Sequence, residues 1–208
     1  MRLLRAGLHF YIIGLIILTL GIALTILSLL GTSPYDSLLV GLNRTFGFTV
    51  GTWEIVVGVS MFIFNSIAEK RRPEYFALIT SIITGIGIDT WLFLLNDLVL
   101  PTTLLSKFIF YGFGLFFTCL GTALYLQSSI APNPLDGTML VVSKLTGKDF
   151  MYSRALISIV LVTLAFFFDG AIGIGTLINA LFSGLIISLF IPHVERLNQK
   201  IKYKIENI

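Results

Sequence analysis

The sequence predicts an all-α polytopic membrane protein, with six transmembrane helices and two short helices in two three-span repeats that we expect to be inverted. Three observations predict this fold class. Of the 208 residues, 56% are hydrophobic and only 12% are charged, which is about half the charge of a typical soluble domain. Six apolar stretches are long enough to cross a bilayer. Finally, the first half of the chain recurs in the second half.

The six apolar stretches take up most of the chain, so no segment remains for a soluble catalytic domain. The first stretch resembles a signal peptide, but it lacks a small-x-small cleavage site and has a similar copy at 111–130, so we expect a retained span. The predicted spans are 8–30, 50–68, 75–95, 108–126, 152–168 and 172–191.

An internal repeat relates residues 11–54 to residues 111–154 without a gap, with 11 identities in 44 positions. The identities include glycines, prolines and aspartates, which an apolar helix does not require. A duplicated membrane unit is typical of transporters whose site lies between the two copies. We therefore divide the chain into repeat one (1–104), repeat two (105–195) and a basic cytoplasmic tail (196–208).

The distribution of Lys and Arg indicates the orientation, because these residues accumulate in cytoplasmic loops. Six spans with a cytoplasmic N-terminus place eleven of them inside and two outside, with both termini cytoplasmic. Three spans per repeat make the repeats inverted. In the alternative, 34–46 and 134–146 also cross, and the copies are parallel. Thirteen helical residues reach only ~20 Å against a ~30 Å hydrocarbon core, which favours inversion.

Two short helices are predicted after the first and fourth spans. Each has an N-cap residue, proline at the first position, aspartate at the third and a terminal glycine. We expect each aspartate to bond back to the amide of the cap residue. These residues are Ser33, Pro34, Asp36 and Gly47 in repeat one, and Asn133, Pro134, Asp136 and Gly147 in repeat two. Two interpretations stay open: half-helices whose N-termini flank a central site, or amphipathic helices in the headgroup layer.

Ionisable residues inside the spans are candidates for proton coupling or gating. Glu54 and Arg154 occupy equivalent repeat positions with opposite charge, and either snorkel to the headgroups or form a bridge or gate. Asp89 is the stronger candidate for proton exchange. Its alternative role is a structural hydrogen bond to Thr84 or Trp91.

The sequence has no His-Glu-x-x-His, no phosphate-binding loop and no Gly-x-Ser-x-Gly motif. We therefore expect no enzyme, no cofactor and no metal site. The net charge of +3 lies in loops and tails, which is typical of membrane topology and gives no reason to expect nucleic-acid binding.

Three segments resemble the YczE/YyaS/YitT family of bacterial integral membrane proteins, in its YczE-like branch. They are the Gly-Thr-Ser-Pro-Tyr-Asp-Ser-Leu run at 31–38, the Phe-Gly-Phe-Thr-Val-Gly-Thr-Trp run at 46–53 and the Gly-Ile-Gly-Thr-Leu-Ile-Asn run at 173–179. The resemblance covers about residues 8–192. It implies a multi-pass protein of the bacterial cytoplasmic membrane and assigns no site residue.

The leading hypothesis is a small secondary transporter or permease-like protein in the lipid bilayer. A small polar or anionic solute would bind between Ser33-Pro34 and Asn133-Pro134, near Asp36 and Asp136. The alternative is a non-transporting accessory protein that scaffolds a membrane enzyme, to which the basic tail would bind. A homo-oligomer is compatible with both hypotheses.

Overall fold

The protein is described here by a computed structural model that covers residues 2–70, 75–96, 101–128, 130 and 133–206. Arg71 and Arg72, which contribute to the predicted charge bias, lie outside these residues. Throughout the described part, the regular structure is helical. The helices are α1 (Arg2–Leu27), α2 (Pro34–Phe46), α3 (Val50–Glu69), α4 (Tyr75–Asn96), α5 (Leu104–Gln127), α6 (Pro134–Thr146), α7 (Phe150–Phe167) and α8 (Ile174–Glu206).

Six of the helices in the described ranges are long and apolar enough to cross a membrane. They are the six predicted spans, with ends within a few residues of the predicted ones except in α8. That helix continues through Pro192 to Glu206, so the predicted tail at 196–208 extends the last span as helix for most of its length.

The two short helices, α2 and α6, begin and end where the sequence predicts. The Ser33 side chain accepts from the amide of Asp36 at the start of α2, and the Asn133 side chain accepts from the amide of Leu135 at the start of α6. Gly47 and Gly147 follow the two helices with φ of 78° and 66°. A side chain strains this backbone region, and glycine does not.

Helices α1 and α5 are antiparallel and in close contact along their glycines. A Cβ atom at Gly14 would lie 3.0 Å from the carbonyl oxygen of Gly121, and one at Gly114 would lie 3.0 Å from that of Gly21. The two backbones therefore touch, as small residues permit in membrane bundles. Because α1 and α5 are the first spans of the two predicted repeats, their opposite directions are those that inverted copies require.

Several of the other helix contacts follow the same pairing, although α3 packs closely on α4 whereas the described residues of α7 and α8 make almost no backbone contact. Helix α1 packs against α4 as α5 packs against α8, and α2 packs against α7 as α6 packs against α3. In these contacts, exchanging each helix for its equivalent in the other repeat gives another observed contact. This supports a two-fold relation between the halves. The duplication itself stays a prediction from the sequence.

Helix α2 begins inside the bundle. Its first residue, Pro34, shares a small pocket with Ser158 and Leu161 from the middle of α7. Its last turn lies beside the end of α7, where Arg44 Nη1 donates to the carbonyl of Asp169 (2.9 Å). All residues from Pro34 to Leu42 are buried, so the interpretation of an amphipathic helix in the headgroup layer is wrong for α2.

Helix α6 has the same arrangement against α3. Asn65 Nδ2 donates to the carbonyl of Pro134 (3.1 Å) at its start, and Lys144 pairs with Glu69 (2.5 Å) near its end. Both short helices therefore run from the interior of the bundle to one end and do not cross it. This excludes the parallel topology with four spans per repeat.

Replacing Gly114 with alanine should destabilise the protein, because the new Cβ would lie 2.7 Å from Thr25 Cγ2 and 2.8 Å from its amide nitrogen. We expect a loss of about 1–3 kcal/mol, measured as a lower melting temperature in detergent. The matched control is Gly112→Ala, two positions earlier in α5, where a Cβ meets nothing within 4 Å. Equal melting temperatures for the two variants would contradict the close contact.

Candidate functional site

A central cavity of about 140 Å³ lies where the N-termini of α2 and α6 meet the middle of α1 and α5. Six of the nine residues predicted to form the site line it: Ser33, Asp36, Glu54, Asn133, Asp136 and Arg154. Pro34 lines the smaller neighbouring pocket. Pro134 and Asp89 line neither. The structure therefore brings the two predicted helix starts to one polar space.

On the α2 side, Ser33 and Asp36 are hydrogen-bonded to each other. Ser33 Oγ donates to Asp36 Oδ2 (2.6 Å) and accepts from the Asp36 amide (3.1 Å). The predicted bond from this carboxylate back to the cap amide is replaced by a bond to the cap hydroxyl. Burial raises the pKa of Asp36 to about 6, and the Ser33 bond opposes that shift.

On the α6 side, the two polar residues have different partners. Asn133 Oδ1 accepts from the amide of Leu135 (3.2 Å), while the Asp136 carboxylate accepts from the hydroxyl of Tyr125 on α5. At α6 too, the expected bond from the aspartate carboxylate to the cap amide is replaced, here by the bond to Tyr125. Burial raises the pKa of Asp136, and the Tyr125 bond and the positive charge of Arg154 oppose the shift.

Glu54 is buried in the second turn of α3, with 1% of its surface exposed. Neither its Oε1 atom nor the neighbouring Tyr35 hydroxyl makes a hydrogen bond within 3.5 Å among the described residues. The two side chains are close enough to interact, so the Tyr35 hydroxyl is the nearby donor available to Glu54. The interpretation that Glu54 snorkels to the headgroups is wrong, because the side chain is buried. A buried carboxylate oxygen without a close hydrogen bond is costly, so Glu54 has capacity for a further partner.

Arg154 lines the same cavity from α7 and is partly exposed. Its Nη2 donates to Ser183 Oγ on α8 (2.7 Å). Within the described ranges, the one ion pair closer than 4 Å joins Lys144 to Glu69, so the predicted bridge between Glu54 and Arg154 is not formed. Glu54 and Arg154 therefore line the same cavity without pairing with each other.

Asp89 lies away from the central cavity, beside the start of α3. Its Oδ1 accepts from the Gly51 amide (2.8 Å) and its Oδ2 from the Thr49 hydroxyl (2.6 Å). These are bonds of a helix cap, and the partners differ from the predicted Thr84 and Trp91. Geometry gives no support to proton coupling at Asp89, which stays a prediction.

Several polar residues that line the cavity were missed by the sequence analysis. They lie singly in the spans, without a motif, and the cysteine among them is typical of packing. What they share is a polar side chain that faces the other half of the bundle. The sequence does not reveal this orientation. These residues are Thr84, Thr118, Cys119, Thr122, Tyr125, Asn179 and Ser183.

The cavity is thus rich in hydrogen-bond acceptors and carries three carboxylates against one guanidinium. The described residues include no cluster of three or more His, Cys, Asp or Glu side chains suited to a metal ion.

The fold and the cavity define a multi-pass membrane protein with two half-helices at its centre. The chain belongs to the family described as "Family of unknown function (DUF6198)", whose model matches residues 6–192. Together with the relatives YyaS and YczE described next, this confirms the resemblance to the family, while membership of its YczE-like branch stays a prediction.

Three relatives cover most of the chain. It is 46% identical to "Uncharacterized protein YyaS" of Bacillus subtilis, over 90% of this chain and 93% of the relative. It is 32% identical to "Uncharacterized membrane protein YczE" of the same species, over 88% and 84%. An "Uncharacterized protein" of Haemophilus influenzae is 28% identical, over 88% and 83%. No solved structure matches.

Removing the Asp89 carboxylate should weaken the start of α3. We expect Asp89→Ala to lower the free energy of unfolding by about 1–2 kcal/mol, because the Gly51 amide loses its acceptor, and Asp89→Asn to lose less, since one oxygen remains. Melting temperatures in detergent measure both effects. If Asp89→Ala melts like the parent protein, the capping role is wrong.

The raised pKa of Asp36 predicts a pH dependence of stability. Between about pH 4 and pH 6 the folded state holds a proton at Asp36 that the unfolded state releases, so stability falls as pH rises through this window. The melting temperature in detergent should be higher at about pH 5 than at neutral pH, and Asp36→Asn should reduce the difference. Asp169→Asn, at an exposed turn, is the control and should retain it.

Proposed function

We propose that this protein is a small secondary transporter of the cytoplasmic membrane, and that its solute binds in the central cavity between the starts of α2 and α6. The observation that carries the proposal is the convergence of both half-helix N-termini on one polar cavity. Paired half-helices that meet near the middle of a bundle are a recurring binding arrangement in secondary transporters.

The free-energy cost of burying unpaired polar groups around the cavity supports a binding role. Buried polar groups in a membrane bundle are expensive when they lack partners, and four residues of the cavity lining carry such an atom: Tyr35, Glu54, Thr84 and Thr118. A protein that only scaffolds a partner gains nothing from these groups, and apolar residues would pack the space more stably. Their presence supports a site that a solute completes.

The contacts of the half-helices support alternating access. Helix α2 lies beside α7, and the two helices end close to each other. There Thr45 Oγ1 donates to the carbonyl of Phe168, the residue that follows α7 (2.9 Å). Helix α6 ends beside the other end of the bundle, at Glu69 of α3. Each half-helix thus separates the cavity from one end of the bundle. A small displacement of either helix would open the cavity on that side alone.

The orientation follows from the charge bias. Lys144 lies in the last turn of α6 and Lys148 follows the helix, at the end of the bundle where α3 ends. Arg44 lies at the opposite end with Asp169. The Lys and Arg excess supports a cytoplasmic position for the α6 end. Both chain termini are then cytoplasmic, as the sequence predicts.

Reconstituted transport tests this function. Purified protein in proteoliposomes should move at least one solute from a panel of small cations, zwitterions and anions, measured by electrophysiology on a solid-supported membrane. Asp36→Asn and Asp136→Asn should each reduce the flux of that solute about tenfold or more, because each carboxylate lines the cavity. Asp169→Asn, at an exposed turn, is the matched control and should keep the parent flux.

Two outcomes would contradict the transporter. One is unchanged flux in both cavity variants for every solute that the parent protein moves. The other is no flux for any solute together with a stoichiometric membrane enzyme that co-purifies with the protein, which would favour the accessory role.

A further inference from the structure

We propose that the central cavity takes a small organic cation with N–H donors, of the primary ammonium class, and that Glu54 is its main partner. This inference specifies the solute of the cavity used in the proposed function. It replaces the anionic solute that the sequence left open, and the contacts of the cavity residues carry it.

The charges around the cavity do not balance. Among the described residues, Arg154 is the one Lys, Arg or His in its lining, and it lies on the α6–α7 side, where its charge acts on Asp136. Asp36 and Glu54 lie on the α2–α3 side, and neither has a cationic partner within 4 Å among the described residues. A cation on the α2–α3 side removes this imbalance, whereas an anion increases it.

The unused hydrogen-bonding atoms suit an ammonium group. Glu54 Oε1, Tyr35 Oη, Thr84 Oγ1 and Thr118 Oγ1 are buried in the cavity lining and lack partners in the described structure. The carboxylate oxygen only accepts, and the hydroxyl oxygens accept as well as donate. An ammonium group has three N–H donors and no acceptor. Its donors therefore match the Glu54 carboxylate and the neighbouring Tyr35 hydroxyl oxygen.

The size and lining of the cavity favour an organic cation over a bare metal ion. A space of about 140 Å³ exceeds what a single ion fills, and Leu18, Ile22 and Met139 supply an apolar wall beside the polar atoms. A carbon-bearing cation contacts that wall while its ammonium group meets Glu54. Sites for small molecules usually combine an apolar lining with a few placed polar groups.

A thermal shift experiment tests the proposal with defined probes. Methylammonium chloride should raise the melting temperature of the detergent-solubilised protein saturably, by ~5 °C or more at saturation, because a ligand of the folded state stabilises it. Tetramethylammonium chloride has the same charge and no N–H donor, and should produce no saturable shift. Tetramethylammonium acetate should also produce no saturable shift, because the three carboxylates of the cavity repel the acetate anion.

Three variants test whether the methylammonium shift depends on Glu54. Glu54→Gln keeps the size of the side chain and removes the buried charge, so it should fold, melt at or above the parent temperature, and lose the methylammonium shift. Glu69→Gln makes the same change at the far end of α3, outside the central cavity, and should keep the shift. Arg154→Gln should also keep it, because a cation does not use the guanidinium.

Retention of the methylammonium shift in Glu54→Gln would overturn the proposal, as would a saturable shift with acetate or no shift with methylammonium. A shift with glycine that Arg154→Gln abolishes would indicate a zwitterion and also overturn it. A methylammonium shift without flux in proteoliposomes would leave the cation site in place and remove the transporter. Flux of anions alone would support transport and remove the cation.

Discussion

Helix starts inside an apolar bundle impose the constraint on which the rest of this structure depends. The first amides of a helix have no partner within it, and the bilayer core supplies no water to bond them. At α2 and α6 the chain meets this cost with an oxygen-bearing cap and with proline, which has no N–H. The surroundings of both starts must therefore be polar, and a polar cavity follows where the two starts meet.

The close contact of α1 and α5 determines what surrounds that cavity. Because glycines let the two backbones touch, Thr118 and Tyr125 of α5 line the same cavity as the starts of the short helices. Part of the contact pattern repeats in the two halves, but the close packing of α3 on α4 has no counterpart between the described residues of α7 and α8. The side chains differ as well, with Glu54 on one side and Arg154 on the other, so the charge distribution around the cavity is asymmetric.

Local patterns predicted the helices well and the side-chain partners poorly. Pro34 and Gly47 determine a helix start and end from their own backbone preferences, so the bounds of α2 follow from the sequence. The partners of Asp89 do not, because Thr49 and Gly51 lie about 40 residues away along the chain and meet it only through the packing of α3 on α4. Tyr125 lies only 11 residues before Asp136, and it was missed because no local motif marks a bond between the end of α5 and the start of α6.

The sequence by itself determined the membrane class, the six spans and the limits of the two short helices, because hydrophobic length and capping are local properties of a chain. It left open whether those helices lie on the membrane or enter the bundle, and whether Glu54 reaches water. Only the tertiary structure decided these points. The depth of a helix start and the exposure of a carboxylate depend on which helices pack around them, and that packing joins residues far apart in the chain.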